Sequence, residues 1–127
     1  HLVDTNQLTL AELNQVMMDA KRFKYKKAPL LLGGKIIVTL FFENSTRTRS
    51  SFEVAAKRLG ASMVFLDPAK SSTQKGESLT DTFSNLCAME PDAVIIRHSE
   101  NGIPQMLADK NILPVINAGA GNYAHPT

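Results

Sequence analysis

Short continuous apolar runs alternate along the chain with longer stretches in which apolar residues recur every three or four positions. The runs have the length of buried parallel strands, and the longer stretches have the spacing of helices that bury one face. The runs predict strands at 36–42, 63–66, 93–96 and 113–116. The longer stretches predict helices over about 9–24, from Thr46 to Leu59, over 79–87, and in a short segment near Pro104.

Strands that alternate with helices predict an α/β fold, with a parallel four-stranded sheet flanked by helices in three αβα layers. A chain of 127 residues has the size of one domain, which we assign to residues 1–127. Ligands of parallel sheets bind beyond the carboxyl ends of the strands. A polar segment follows each predicted strand, and the four segments are Ser45–Arg49, Ser71–Lys75, Arg97–His98 and Asn117–His125.

Charge and cysteine content exclude several classes of function. The 14 basic and 12 acidic residues leave a net charge of +2, too weak to indicate nucleic acid or an anionic membrane as a partner. The apolar run 36–42 is interrupted by Thr39 and is far too short to span a bilayer. The single Cys87 excludes an internal disulfide and a cysteine-rich zinc site, and it favours a reducing, cytoplasmic setting.

The segment after the first strand is the most informative about chemistry. Ser45 is placed to cap the helix that begins at Thr46, and free N–H groups at a helix start attract anions. Thr48 adds a further hydroxyl and Arg47 a planar cation, so the donors converge as a phosphate group requires. The alternative is that Ser45 only caps the helix and Arg47 is a surface cation.

Three further candidates lie in the other segments. Lys75 belongs to a polar loop and is either solvated or directed at a ligand. Arg97 ends an apolar strand beside His98, where one of the pair either binds a ligand or pairs with a buried carboxylate. His125 precedes Pro126 in a loop, and a lone loop histidine usually has no special role. No cluster of His, Cys, Asp or Glu has metal-ligand spacing, so we expect neither metal nor cofactor.

Several of these segments resemble the signatures of the carbamoyltransferase family. Residues 42–49 (FENSTRTR) are similar to the pattern Phe-x-Glu/Lys-x-Ser-Thr/Gly-Arg-Thr, and 71–82 (SSTQKGESLTDT) and 117–127 (NAGAGNYAHPT) are similar to two others. Lys75 and the His-Pro-Thr ending resemble the aspartate branch of the family more than the ornithine branch. The resemblance runs from about Leu2 to Thr127.

The resemblance implies the carbamoyl-phosphate domain of an enzyme that carbamoylates L-aspartate in pyrimidine biosynthesis. It implies that Thr48, Arg97 and His125 polarise the carbamoyl oxygen, and that no covalent enzyme intermediate forms. It implies a homotrimer in which Ser71 and Lys75 enter the adjacent subunit's active site. The phosphate is then held by Ser45, Thr46, Arg47 and Thr48, with Arg97 reaching one phosphate oxygen.

The chain begins with His1 and ends in a loop, so we expect a fragment that lacks the aspartate-binding domain and is inactive alone. Ala120 stands where many relatives have Asp, and its effect is not evident from the sequence. Regulatory or pathway-enzyme partners are compatible with the resemblance. The alternatives are an ornithine-type or related carbamoyltransferase and a phosphate-binding module without catalysis.

Overall fold

All four predicted strands lie in one parallel sheet, with the strand order β2-β1-β3-β4. The computed structural model describes residues 1–26, 28–68 and 78–122. A short 3₁₀ turn at Thr5–Gln7 precedes the regular elements. The strands are β1 (Ile36–Phe41), β2 (Ser62–Leu66), β3 (Ala93–His98) and β4 (Val115–Ala120). The helices are α1 (Leu10–Tyr25), α2 (Thr46–Arg58), α3 (Leu79–Cys87) and α4 (Ile103–Ala108).

The three strands β1, β3 and β4 are buried on both faces of the sheet, as continuous apolar runs require, whereas the edge strand β2 is largely exposed. On one face, α3 and α4 pack their apolar side chains against alternate residues of β1, β3 and β4. On the other face, Ala56 and Phe52 of α2 pack against the strand residues that point to that side, which include Ile37, Ile95 and Ala118. The predicted three-layer αβα arrangement is therefore confirmed. The fully buried residues at its centre include Leu40, Phe83, Leu86, Val94, Ile96, Leu107 and Val115.

The predicted helix ends follow from local side-chain chemistry. Thr9 accepts a hydrogen bond from the Glu12 N–H, while the Glu12 carboxylate accepts one from the Thr9 N–H at 2.8 Å, which completes a capping box. The backbone N–H of Thr9, and then its hydroxyl, hold the pKa of Glu12 below its ordinary value. Gly60 follows α2 with a φ of +92°, a conformation that favours glycine.

The α1 helix forms, but it buries no residue within the described part of the chain. Its apolar residues Val16 and Met17 are more than half exposed. The prediction of an amphipathic helix is correct for the helix and wrong for its burial in this domain. Capping and spacing are local properties of the sequence, whereas burial needs a partner surface, and the described residues do not provide one.

The fourth strand begins and ends later than the sequence predicts. Pro114 lacks an N–H and lies just before β4, although its carbonyl still accepts from the Val94 N–H at 2.9 Å. The strand continues through Ala120 because its pairing with β3 extends to His98 opposite Ala120. The amino-terminal segment pairs with its first residues. Leu2 donates to the Val115 carbonyl and accepts from the Asn117 N–H. This pairing, between residues more than 110 positions apart, is not visible in local periodicity.

Asp92 ties the beginning of β3 to the beginning of β1. One carboxylate oxygen accepts from Lys35 Nζ and the other from the Ile36 N–H, both at 2.8 Å. The Lys35 hydrogen bond, and then the Ile36 amide, hold the pKa of Asp92 below its ordinary value. The contacts therefore favour the charged carboxylate in the folded state.

We expect Asp92→Asn to lower stability in a pH-dependent way. Because the folded-state pKa is depressed, the contribution of Asp92 is complete above its ordinary pKa of about 3.9 and is lost as the pH falls through the folded-state value. Urea unfolding midpoints of wild type and variant are expected to differ more at about pH 7 than at about pH 2.5. Glu100→Gln removes a carboxylate that forms no ion pair among the described residues, and is expected to show no such pH dependence. An Asp92→Asn gap of equal size at both pH values would contradict the assignment.

Candidate anion-binding site

The carboxyl ends of β1, β3 and β4 are joined by main-chain hydrogen bonds just beyond the sheet. The Phe42 N–H donates to the Arg97 carbonyl at 2.9 Å, and the Gly121 N–H donates to the His98 carbonyl at 3.0 Å. Phe41 and Arg97 are register partners. The structure therefore brings the Ser45–Arg49 segment and Arg97 to one edge of the sheet, as the sequence predicts.

The start of α2 leaves its backbone donors free. The first main-chain hydrogen bond of the helix runs from the Arg49 N–H to the Ser45 carbonyl at 3.0 Å. No hydrogen bond within the described residues satisfies the N–H groups of Thr46, Arg47 and Thr48. These three donors, at the positive end of the helix dipole, form an anion-binding arrangement.

Ser45 occupies the N-cap position, but its side chain does not cap the helix. Its hydroxyl instead donates to Thr48 Oγ1 at 2.9 Å. The prediction that Ser45 caps α2 is therefore correct for its position and wrong for its hydrogen bond. The physical consequence is that the hydroxyl leaves the helix N–H groups available to another acceptor.

Arg47 and Arg97 differ in their surroundings. Arg47 is exposed on the first turn of α2 and forms no ion pair or hydrogen bond with the described residues. Arg97 is more buried, and its Nε donates to Glu43 Oε2 while Nη1 donates to the Ala118 carbonyl, both at 3.1 Å. The predicted carboxylate partner of Arg97 exists, but Glu43 is itself only partly buried. Arg47 is thus without a carboxylate partner among the described residues, whereas Arg97 is held by Glu43.

His98 has a packing and hydrogen-bonding role in this structure. Its Nδ1 accepts from the Glu100 N–H at 2.9 Å, which places the ring proton of the neutral form on Nε2. The ring lies against Phe42 with centroids 4.8 Å apart. His98 therefore links the end of β3 to the segment that leads into α2.

Arg49 is a site residue that the sequence interpretation did not single out. It lines a small polar cavity of about 60 Å³ with Ser45 and Thr46 at the ends of β1 and β2. Its guanidinium lies 4.3 Å from the centre of the Phe65 ring and its Nε lies 3.5 Å from Glu53. The i, i+4 spacing of Arg49 and Glu53 is visible in the sequence, but the stacking on β2 depends on the tertiary fold.

Three predicted site residues, Ser71, Lys75 and His125, lie outside the described residues. Their predicted roles stay predictions. Among the residues described, no group of three or more His, Cys, Asp or Glu side chains is arranged to hold a metal ion. None of the helices described is both long and apolar enough to cross a bilayer. Cys87 packs partly buried against the core, and burial raises the pKa of its thiol.

A parallel α/β sheet with a helix start, hydroxyls and arginines at one edge is typical of domains that bind an anionic ligand. The family model for the aspartate/ornithine carbamoyltransferase carbamoyl-P binding domain matches residues 1–127. The chain belongs to this family.

Curated relatives and solved structures agree with this assignment. The chain is 67% identical to the aspartate carbamoyltransferase catalytic subunit of Sulfurovum sp. and 56% identical to that of Aliarcobacter butzleri, in each case over all 127 residues. It spans 43% of the length of each of these relatives.

Two solved structures share the fold. Aspartate transcarbamoylase from Trypanosoma cruzi, in complex with carbamoyl phosphate and aspartate, matches 98% of the chain with a TM-score of 0.90 and 33% identity. The match covers 40% of that protein's chain. The catalytic subunit of the M. jannaschii enzyme matches 99% of the chain with a TM-score of 0.86 and 37% identity, over 42% of its own chain.

Titration with inorganic phosphate tests the anion site directly. We expect the backbone amide signals of Thr46, Arg47 and Thr48 to shift in ¹⁵N–¹H spectra, because these donors have no acceptor among the residues that the structure describes. Arg47→Ala is expected to weaken binding by about tenfold, since it removes a charge-assisted hydrogen bond. Arg22→Ala removes an exposed cation on α1 and serves as the control, with no change expected. Amide signals that stay unmoved at millimolar phosphate would exclude this site.

Proposed function

We propose that this domain binds carbamoyl phosphate in an enzyme that transfers the carbamoyl group to L-aspartate, giving N-carbamoyl-L-aspartate and phosphate. The observation that carries the proposal is the start of α2, where three N–H groups without an acceptor among the described residues, three hydroxyls and Arg47 adjoin Arg97 at one edge of the sheet. Family membership and the names of the relatives support it. The reaction belongs to de novo pyrimidine biosynthesis, in the cytoplasm.

The phosphate group is assigned to the start of α2. The N–H groups of residues 46–48 and the hydroxyls of Ser45, Thr46 and Thr48 supply donors, and Arg47 supplies charge. Because Arg47 has no carboxylate partner among the described residues, a phosphate need not displace one to reach it. Arg47 is also assigned to the bridging oxygen, where negative charge grows as the C–O bond breaks, so that it stabilises the leaving group.

The carbamoyl oxygen is assigned to Thr48, Arg97 and His125, and Arg97 is also assigned to one phosphate oxygen. The aspartate amine attacks the carbamoyl carbon and forms a C–N bond, and the resulting oxyanion is stabilised by donors from these side chains. Collapse of the tetrahedral intermediate breaks the C–O bond to phosphate, and the departing phosphate takes the proton from the amine. No covalent bond to the protein is needed, and no metal or cofactor takes part in the step.

Arg97 exchanges partners when substrate binds. In the structure its guanidinium is shared between Glu43 and the Ala118 carbonyl. Glu43 is 38% exposed, so water solvates its carboxylate when Arg97 turns to the ligand. A buried carboxylate would pay a much larger desolvation cost on losing its partner. The pairing thus keeps Arg97 oriented near α2 without locking it away from the substrate.

The catalytic unit is proposed to be a homotrimer in which Ser71 and Lys75 complete the site of the adjacent subunit. The edge strand β2 supports a subunit contact, because Val64 and Phe65 are each more than 40% exposed on it. Exposed apolar edge strands are normally covered by another protein surface. The aspartate site is assigned to the part of the enzyme that corresponds to the remaining length of the relatives.

Arg47→Ala tests the assigned chemistry in the complete polypeptide that carries this domain. We expect turnover with carbamoyl phosphate and aspartate to fall by about 10²-fold or more, as when a preorganised transition-state donor is removed. The exposed Arg22→Ala variant is expected to retain wild-type turnover. The assay compares aspartate with ornithine as acceptor. A loss below tenfold would contradict the role of Arg47, and a preference for ornithine would overturn the proposed acceptor.

Subunit mixing tests the shared site. Lys75→Ala and His125→Ala proteins are each expected to be inactive, and hybrid trimers are expected to regain activity because some sites then contain both native side chains. Each variant taken through the same dissociation and reassembly alone is the control. Verified hybrid trimers without activity would show that the two residues act within one chain.

A further inference from the structure

The pairing of β3 with β4 contains an irregularity next to Arg97. Ile96 lies opposite Asn117 and His98 lies opposite Ala120, so one residue of β3 faces two of β4, Ala118 and Gly119. This is the geometry of a β-bulge, which bends a strand and redirects the groups beside it. Gly119 has a φ of +128°, a backbone conformation that residues with a side chain adopt only under strain.

The bulge presents a main-chain acceptor to Arg97. The Ala118 carbonyl, within the bulge, accepts from Arg97 Nη1 at 3.1 Å. Glu43 takes the Nε donor of the same guanidinium at 3.1 Å. The two contacts fix the plane of the guanidinium from two sides, one from the β1–α2 segment and one from β4. Any shift of the bulge therefore moves an anchor point of Arg97.

A buried amide holds the bulge in place. Asn117 is 1% exposed, its Oδ1 accepts from the Gly119 N–H at 2.8 Å, and its Nδ2 donates to the Val3 carbonyl at 3.0 Å. Its own N–H donates to the Leu2 carbonyl at 2.9 Å. The side chain thus clamps the bulge to the amino-terminal segment. Each of these hydrogen bonds is to a main-chain group, so the side-chain amide holds two segments of backbone in a fixed relative position.

We infer that Asn117 is a positioning residue for Arg97, acting through the bulge at Ala118 and Gly119. The inference rests on the proposed function, in which Arg97 binds the carbamoyl phosphate. Asn117 and Ala118 are neighbours in β4 and therefore face opposite sides of the sheet, with Ala118 packed in the core on the α2 side. Asn117 therefore acts on Arg97 from the opposite face and does not touch the ligand.

The test compares Asn117→Ala with Thr39→Ala. Thr39 is the other buried polar residue of the described chain, and its Oγ1 has no hydrogen-bond partner, so its loss perturbs the core away from the bulge. The first readout is the Arg97 Nε–H signal of the ligand-free protein, which we expect to shift in Asn117→Ala and to stay in place in Thr39→Ala. The second is phosphate affinity, which we expect to fall roughly two- to tenfold in Asn117→Ala only, the range of one hydrogen bond.

A double-mutant cycle separates positioning from general destabilisation. Because Asn117 acts through Arg97, Asn117→Ala is expected to cause no further loss of phosphate affinity in an Arg97→Ala background. An undiminished loss in that background, or equal losses in Asn117→Ala and Thr39→Ala, would overturn the inference. If Asn117→Ala does not fold, Gly119→Ala strains the same bulge and is judged by the same criteria.

The inference and the proposed function fail in different ways. If the α2 amide signals of the wild-type protein do not shift when phosphate is added, the proposed function is contradicted, whatever the results for the variants. An Arg97 Nε–H signal that is identical in wild type and Asn117→Ala would contradict the role of Asn117, even if phosphate binds as proposed.

Discussion

The parallel pairing of β1 with β3 is the constraint on which the site depends. Five residues of each strand stay in register, from Ile37 opposite Ala93 to Phe41 opposite Arg97. Both strands are buried on both faces, so a slip by one residue would exchange the two cores and move Arg97 to the wrong face. Asp92 secures this register at the opposite end by binding Lys35 and the Ile36 amide.

The positive charges at the strand ends fall into two groups, which differ in whether a protein group holds them. The start of α2 and Arg47 present positive potential that no described protein group neutralises. Arg97 carries the same charge, but Glu43 and the Ala118 carbonyl hold it in position. The start of α2 and Arg47 are suited to binding an anion, and Arg97 is suited to orienting a polar group next to that anion. A preorganised donor loses less entropy when the ligand arrives.

Much of the site was predictable because its signals are local. The free donors of α2 follow from a strand, a polar turn and a helix start at Thr46, which apolar spacing shows without any structure. Arg97 was placed at the same edge because a parallel sheet puts strand ends together. The Ser45–Thr48 hydrogen bond, the stacking of Arg49 on Phe65 and the burial of Asn117 were not predicted. Each depends on where another segment lies in space.

The sequence by itself determined the number and type of the strands and helices, their layering, and the chemistry of the turn before α2. These properties follow from hydrophobic periodicity, capping residues and the geometry of parallel crossovers, which act over short distances along the chain. Only the tertiary structure decided the extent of β4, the exposure of α1 and the partners of Arg97. Those features depend on contacts between residues far apart in sequence, such as Asn117 with Val3. The spacing of residues along the chain does not show which distant segments meet.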